Sequence, residues 1–380
     1  MFLKSRKSCI FDPMSEQLLY QIALTQIPGV GDIMGKKLIA WCGSAEAVFA
    51  EKRRSLSKIP GMGSYTLNAI HQFNDFGRAE EEIRFIYKEQ VKPLFFTDPD
   101  YPKRLLHCAD SPMMLYYKGS ADLNAQRIIA VVGTRNATEY GRSLCEKLID
   151  ELVVSDVLVV SGLAYGIDSC AHRSAIKAGL NTIGVMAHGH DRVYPAINRS
   201  LAERMLAQGG LVTEFLSQTN PDRENFPRRN RIVAGMCDAI VVVESAKKGG
   251  ALITADIANS YNRDVFAFPG RVGDQLSEGC NYFIRTNRAA LLESADNIRY
   301  IMGWDDKTPG SGKQTRLFRE FNPDESKIME ILKTTKGNEC GIDDLMLRSE
   351  LPASKVAAIL LGFEFEAIVT ALPGKRYRLS

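Results

Sequence analysis

The stretch Arg127-Ile-Ile-Ala-Val-Val132, followed at once by Gly133-Thr-Arg135, determines the fold class of this chain of 380 residues. The β-branched run has the length of one buried strand, and similar runs alternate with helical stretches as far as about residue 304. Such alternation is typical of a parallel sheet covered by helices on both faces. We therefore predict an α/β domain with a parallel sheet core across 91–304. The predicted strands are 127–132, 156–161, 181–187, 210–214, 238–243 and 264–268, and the predicted helices are 138–152, 167–178, 198–207, 228–236, 251–260 and 280–287.

An internal repeat precedes this segment. Ile27-Pro-Gly-Val-Gly31 recurs as Ile59-Pro-Gly-Met-Gly63, and each copy lies between apolar-periodic stretches. Because proline and glycine favour a tight turn, we interpret residues 12–90 as a domain of two helix-hairpin-helix (SAM-like) units. Amides of such turns can hold a DNA phosphate, but few cations lie nearby. We therefore prefer the alternative, a packing or partner module.

The remaining segments flank the α/β core. Residues 93–102 read as an irregular, proline-rich lead-in, and 111–119 as a short strand. Residues 305–321 are polar and aperiodic, which predicts a linker. The last segment, 322–380, predicts a winged helix. Its expected elements are helices at 324–333, 342–349 and 353–364 and strands at 367–372 and 377–379.

Composition excludes several classes of protein. Lys plus Arg number 48 and Asp plus Glu 45, and the net charge of +3 excludes a wholly basic, histone-like protein while permitting a local basic patch. Apolar runs are far shorter than the roughly 20 residues of a membrane span, and the basic N-terminus lacks the apolar part of a secretory signal. The eight cysteines form no CxxC pair, which favours reduced thiols. We expect a cytoplasmic protein without membrane contact.

Glycine with a cation or hydroxyl follows nearly every predicted strand. Because the carboxyl ends of parallel strands meet at one edge of the sheet, these loops predict a phosphate-binding edge. A GxGxxG fingerprint and a GxxxxGK[ST] loop are both absent, which argues against NAD and against a Walker-type ATPase. The spread of cations exceeds what one nucleotide needs and favours single-stranded nucleic acid. The loops are 133–136, 161–168, 188–195, 225–231, 244–254 and 269–271.

Other interpretations of these residues stay open. Arg228 and Arg231 share a helical face while Arg229 points elsewhere, so one face can meet DNA and the other can pair with a carboxylate. Glu214 and Glu244 end strands and are either general acid–base groups or, as we prefer, structural partners of helix starts and arginines. The histidines, His172, His188 and His190, match no standard metal-ligand spacing. We predict no catalytic group, no metal and no cofactor.

Four motifs closely resemble the DNA-processing protein A (DprA, also called Smf) family. They are Ser161-Gly-Leu-Ala-Tyr-Gly-Ile-Asp168, Phe226-Pro-Arg-Arg-Asn-Arg-Ile-Val-Ala-Gly235, Lys248-Gly-Gly-Ala-Leu-Ile-Thr-Ala255 and Phe268-Pro-Gly-Arg271. The resemblance implies an extended Rossmann-like domain that binds single-stranded DNA without enzymatic activity. It also implies protection of incoming DNA during natural transformation, action against single-strand-binding protein, loading of the RecA recombinase, and a homodimer formed through the Rossmann-like domain.

The resemblance also implies the DNA-binding residues. The family's backbone-contacting element, pocket loops and glycine loop match this sequence, and Lys247 adds a cation beside the last of them. The winged helix departs from a DNA-reading module. Its candidate recognition helix, 353–364, offers Lys355 but then acidic charge at Glu364 and Glu366, which opposes phosphate contact. We assign it to protein contacts or regulation. The predicted DNA-binding residues are Gly133, Thr134, Arg135, Ser161, Gly162, Phe226, Arg228, Arg229, Asn230, Arg231, Lys247, Lys248, Gly249 and Gly250.

An enzyme is the main alternative. The loop after the fifth predicted strand also resembles the nucleotide phosphoribohydrolases of the LOG type, whose element reads Pro-Gly-Gly-x-Gly-Thr-x-x-Glu. Here the loop is Lys248-Gly-Gly-Ala-Leu-Ile-Thr-Ala-Asp256, which lacks the leading proline and the third glycine. A pure adaptor that works through the flanking domains ranks last, because it has no use for phosphate-type loops.

Overall fold

A computed structural model describes residues 13–304, 321–335, 339–365, 368–372 and 375–379. The chain divides into two compact units that separate near residue 305. Nearly all of the predicted linker 305–321 lies outside the described residues, as do residue 12 and the turn at 373–374. The boundary predicted at residue 91 falls within the first unit and stays a prediction.

The N-terminal helices carry the repeated motif as two turns. Gly29 and Gly61 occupy the left-handed region, with φ of 82° and 88°, a conformation that glycine adopts without steric cost. The first turn joins α1 to α2, and the second joins α4 to α5. These helices are α1 Pro13–Gln26, α2 Asp32–Cys42, α3 Ala45–Ala50, α4 Arg53–Leu56, α5 Ser64–Gln72 and α6 Gly77–Glu89.

A nine-stranded sheet follows, in the order β1-β2-β6-β5-β4-β3-β7-β8-β9. The six predicted strands are all present as β3 to β8. Across the sheet, each neighbouring pair in the series β6-β5-β4-β3-β7-β8-β9 is parallel. The strands are β1 Lys92–Phe95, β2 Met114–Gly119, β3 Ile128–Val132, β4 Leu158–Ser161, β5 Thr182–Val185, β6 Gly209–Thr213, β7 Ala239–Val242, β8 Asp264–Ala267 and β9 Ala290–Leu291.

Strand β2 confirms the short strand predicted across 111–119, whereas β1 corrects the prediction. The proline-rich lead-in was expected to be irregular, but it contains β1, which pairs antiparallel with β2, and β2 pairs antiparallel with β6. The sheet is therefore mostly rather than wholly parallel. β1 accommodates Pro93 because it lies at the edge of the sheet, where a missing N–H leaves no partner unsatisfied.

Both faces of the sheet are buried, as the unbroken β-branched runs predict. Alternate residues of β3 enter different cores: Ile128 and Ala130 pack with residues of α11 and α12, whereas Ile129 and Val131 pack with those of α8 and α9. The helices of this region are α7 Lys103–Leu106, α8 Glu139–Leu152, α9 Ile167–Ala178, α10 Arg199–Ala207, α11 Asn225–Met236, α12 Gly250–Ser260, α13 Glu278–Arg285 and α14 Ala295–Met302.

The C-terminal unit is the predicted winged helix. Its core includes Ile328, Val356 and Phe363, one from the first helix and two from the last. A third short strand, which the sequence analysis did not foresee, completes a sheet of order β10-β12-β11. Its elements are α15 Pro323–Thr334, β10 Glu339–Gly341, α16 Ile342–Ser349, α17 Ala353–Phe365, β11 Val369–Leu372 and β12 Arg376–Leu379. Among the helices of the described residues, none has the length and apolar character to cross a membrane.

Candidate nucleic-acid interface

The carboxyl ends of β3, β4 and β5 form a recess with the start of α11. Strands β3, β4, β5 and β6 lie side by side in chain order. The next strand, β7, pairs with the opposite side of β3, so the direction of the strand order reverses there. Loops diverge where the strand order reverses in this way, and ligands bind in the crevice that results. The residues that line the recess include Arg135, Gly162, Tyr165, His188, Tyr194, Phe226 and Arg229.

Three aromatic rings, those of Tyr165, Tyr194 and Phe226, line the recess. The Arg135 guanidinium carbon lies 5.2 Å from the centroid of the Phe226 ring, and the Phe226 and Tyr194 rings are 6.0 Å apart. Tyr165 and Tyr194 leave 47% and 45% of their surface exposed. Exposed rings beside a cation stack well with unpaired nucleobases. Tyr165 and Tyr194 were missed by the sequence prediction, although Tyr165 lies inside one of the quoted motifs.

Arg229 lies at the bottom of the recess and connects the strands that form it. It is 5% exposed, and its Nη1 donates hydrogen bonds to the carbonyls of Gly162 and Val185. Burial lowers the pKa of Arg229 to about 10, although Asp168 opposes that change. A Cβ on Gly162 would lie 2.5 Å from Arg229 Nη1, so the glycine makes room for the guanidinium. Both residues were predicted to bind DNA; here they hold the β4 and β5 loops together.

Arg228 and Arg231, which lie on either side of Arg229 in α11, share a carboxylate partner. Arg231 Nη2 lies 2.5 Å from Glu214 Oε2, and Arg228 Nη2 lies 3.4 Å from the same oxygen. Arg231 is largely buried, whereas the Arg228 side chain is 57% exposed and lies over the Phe215 ring. The shared face of Arg228 and Arg231 and the different direction of Arg229 agree with the helical spacing. Of the three arginines at 228, 229 and 231, Arg228 has the most exposed side chain.

Several predicted binding residues support the loops. Ser161 is buried, and its hydroxyl donates to the Val131 carbonyl at 2.6 Å. The Thr134 N–H donates to the Glu244 carbonyl at 2.7 Å, and Asn230 Oδ1 accepts from Arg229 Nε at 3.2 Å. A Cβ on Gly133 would lie 2.4 Å from the Ile167 side chain. Glycine is therefore required at 133 by packing, and DNA contact by these residues stays a prediction.

Protein carboxylates occupy two helix starts at this edge. Glu244 accepts from the Thr138 N–H at 2.9 Å and from its hydroxyl at 2.6 Å, and Thr138 is the N-cap residue of α8. Gly141 leaves room for that carboxylate, because a Cβ there would lie 2.5 Å from Glu244 Oε2. Asp168, in the first turn of α9, is buried, and burial raises its pKa. A phosphate has no place at either position, since a carboxylate already meets the helix dipole.

The start of α12 differs. Gly249 is its N-cap, and within the described part of the chain no side chain caps this helix. A Cβ on Gly250 would meet nothing within 4 Å, and both Lys247 and Lys248 are exposed. A helix start without a side-chain cap, an open approach and two cations form a combination that suits an anion. The phosphate-binding prediction is therefore best supported here, together with Arg135.

The three histidines serve as hydrogen-bond partners. His172 Nδ1 lies 2.7 Å from the Thr182 hydroxyl, His188 accepts from the Tyr194 N–H at 3.1 Å, and His190 lies 2.9 Å from the Tyr116 carbonyl. Burial lowers the pKa of all three, to about 3 for His172 and about 4 for His190. In the described ranges no group of three or more His, Cys, Asp or Glu is arranged to hold a metal ion.

The chain thus combines a doubly wound sheet, a recess with rings and cations at its carboxyl edge, and a C-terminal winged helix. Residues 92–303 match the family model described as DNA recombination-mediator protein A, and 319–375 match the DprA winged helix domain. The chain belongs to the DNA-processing protein A (DprA/Smf) family.

Individual relatives agree with this assignment. Protein Smf of Synechocystis is 31% identical over 400 residues, which cover 96% of this chain and 99% of that protein. The X-ray structure of DNA processing protein A from Streptococcus pneumoniae has a TM-score of 0.65 at 31% identity, and covers 74% of this chain and 97% of its own. The Helicobacter pylori protein, described for its single-stranded DNA binding mode, has a TM-score of 0.52 at 26% identity over 57% of this chain and 97% of its own.

Proposed function

We propose that this protein is a single-stranded-DNA-binding recombination mediator that protects incoming DNA and loads RecA onto it during natural transformation. One observation carries the binding proposal: Arg135 stacks on Phe226 beside two half-exposed tyrosines. Rings in this arrangement offer flat faces to bases. Every base has a π-face, so such binding tolerates any sequence.

The same geometry favours single strands over duplex. A duplex buries the faces of its bases against each other, so the rings gain nothing from it without unstacking. Carboxylates already occupy the starts of α8 and α9. The phosphates therefore bind the exposed cations Arg135, Arg228, Lys247 and Lys248. These side chains spread along the edge and so suit a strand that carries several phosphates.

The phosphoribohydrolase alternative lacks support in the site. Glu244 is buried and bound to Thr138, so it is not free to act as a general acid or base. Asp256, the acid that could replace the family's glutamate, forms an ion pair with Arg288. We therefore propose that the protein is not an enzyme.

The partners follow from the family resemblance. We propose RecA and single-strand-binding protein as protein partners, a homodimer formed through the Rossmann-like region, and action in the cytoplasm. A loading assay tests the first two: the lag of RecA ATPase on DNA coated with single-strand-binding protein should shorten when this protein is added. An unchanged lag would contradict the mediator role while leaving DNA binding open.

The binding proposal is tested by an electrophoretic shift that compares single-stranded with blunt duplex DNA, with mononucleotide hydrolysis assayed on the same sample. We expect tight single-strand binding that weakens as salt rises, weak duplex binding, and no turnover. Equal affinity for both forms would overturn the stacking site. Release of free base, abolished by Glu244→Ala, would favour the enzyme.

A further inference from the structure

Helix α2, which follows the first repeated turn, docks on the sheet region. Asp32, Gly35 and Lys36 share one face of the helix. Asp32 Oδ1 accepts from the Met113 N–H at 2.8 Å, and Lys36 Nζ donates to the Ser111 hydroxyl. A Cβ on Gly35 would lie 2.0 Å from the Met113 sulfur, so any larger residue there would displace the Met113 side chain.

The same carboxylate reaches the candidate site. Asp32 Oδ2 lies 3.2 Å from Arg231 Nη2, and the side chains are 26% and 12% exposed. Arg231 also binds Glu214 and the Asp110 carbonyl. Asp32 therefore helps to fix α11 from outside the sheet region. It also places a negative charge at the helix start where a helix-hairpin-helix turn would receive a phosphate.

A second anchor holds the loop that leads into α11. Glu82, in α6, is 2% exposed, and its carboxylate accepts from the Ser217 N–H at 3.0 Å and from the Ser217 hydroxyl at 2.6 Å. Arg78, one turn earlier, donates to the Ser217 carbonyl at 2.6 Å and pairs with Glu82 at 2.9 Å. Buried charge-assisted bonds of this kind fix backbone position strongly.

We propose that Asp32 and Glu82 are positioning residues for single-stranded DNA: the N-terminal helices clamp residues 217–231 at both ends, which keeps Phe226 under Arg135. The inference rests on the proposed function. Phe226 and Arg228 lie between the two anchors, on a segment that begins as a loop. A strand-binding surface held in place before DNA arrives avoids the entropy cost of ordering that segment on binding.

The test uses the full-length protein with Asp32→Ala and Glu82→Ala, each removing one anchor carboxylate. Asp32→Asn is the conservative variant, because it keeps an acceptor for the Met113 N–H but loses the charge that faces Arg231. Asp100→Asn is the matched control, since it removes an exposed ion pair with Lys92 far from residues 217–231 in sequence. Circular dichroism melting verifies that each variant is folded, and if one of the two is not folded the other serves alone.

Two measurements follow. The first is the affinity for a single-stranded oligonucleotide, where each anchor variant should bind about threefold to tenfold more weakly and the control like wild type. Combined with Phe226→Ala, Asp32→Ala should cause little further loss, because both act through one ring. The second is amide hydrogen exchange of residues 217–231 without DNA, which should become faster in the anchor variants.

The outcomes separate this inference from the function on which it rests. Wild-type affinity in both anchor variants, or losses that add fully to that of Phe226→Ala, would overturn the clamp. Absence of single-strand binding by the wild-type protein would instead overturn the proposed function. In that case hydrogen exchange decides the clamp by itself: faster exchange in the anchor variants supports it, and unchanged exchange of residues 217–231 contradicts it.

Discussion

Two halves of the carboxyl edge use cations differently. In the stacking half, formed by the ends of β3, β4 and β5 with α11, Arg229 and Arg231 are buried against carbonyls and carboxylates, and rings face the solvent. In the cationic half, formed by the loop after β7 and the start of α12, Lys247 and Lys248 are exposed beside an uncapped helix start. Loops that combine glycine with cations thus end in half-exposed rings on one side and in exposed lysines on the other.

The difference has a local cause. Behind the arginines lie acceptors that desolvated guanidinium groups can bind, such as the Gly162 carbonyl and Glu214, so these arginines turn inward. Lysine is strongly hydrated and stays at the surface unless a partner draws it in. Counting cations along a loop therefore overstates the positive charge that is exposed at the edge. The predictions that follow separate the two halves by affinity and by salt dependence.

The largest effect is expected from Phe226→Ala in the stacking half. Loss of the ring should weaken single-strand binding about tenfold or more, because base stacking contributes roughly 1–3 kcal/mol per base. The slope of log affinity against log salt should stay the same, since no phosphate contact is lost. Fluorescence anisotropy at several salt concentrations measures both, with Tyr87→Ala, an exposed tyrosine of α6, as the control. Affinity within twofold of wild type would remove the stacking half from the binding site.

Arg135 should contribute both to base stacking and to phosphate binding. Arg135→Ala should weaken binding about tenfold and lower the salt slope by about one unit, because one phosphate contact is lost. Arg135→Lys should restore the slope but only part of the affinity, since lysine keeps the charge and stacks poorly on Phe226. The same titrations distinguish these results. Wild-type affinity for Arg135→Lys would show that charge alone matters at this position, whereas equal losses in the two variants would show that the charge contributes nothing without the guanidinium.

Lys247→Ala and Lys248→Ala should each weaken binding about threefold to tenfold and lower the salt slope by about one unit. The reason is that these side chains meet phosphates and not bases. An oligonucleotide with abasic sites therefore should show the same loss from each substitution, unlike Phe226→Ala. Lys88→Ala, which removes an exposed lysine of α6, is the control. A loss confined to the normal oligonucleotide would contradict a purely ionic role.

The smallest effect is expected from removing residues 317–380. The winged helix forms a separate compact unit, and the Lys355 ammonium of its candidate recognition helix is already paired with Asp324 at 2.5 Å. Single-strand affinity should stay within about threefold of that of the full-length protein, because the deletion removes no residue from either half of the edge. Native gel shifts of the truncated protein measure this. A tenfold loss would make the winged helix a third DNA-binding region.

The fold was largely predictable because its signals are local. Unbroken β-branched runs predict strands buried on both faces, and β3 to β8 are all present within a few residues of their predicted bounds. Likewise, the spacing of apolar residues predicted the helices of the winged unit. β1 was missed because proline at its second residue argues against a strand unless the strand lies at an edge. Edge position is a property of the assembled sheet.

The sequence by itself determined the alternation of strands and helices, the loops that gather at one edge, and the motifs that carry the family resemblance. Only the tertiary structure decided which of those loop residues meet solvent. Arg228, Arg229 and Arg231 occupy neighbouring positions, yet burial and the partners around them give each a different role. Pairing with Asp32 or Glu82 joins residues more than a hundred positions apart. Propensity and periodicity act within a few residues, whereas burial and ion pairing depend on what the whole fold brings together.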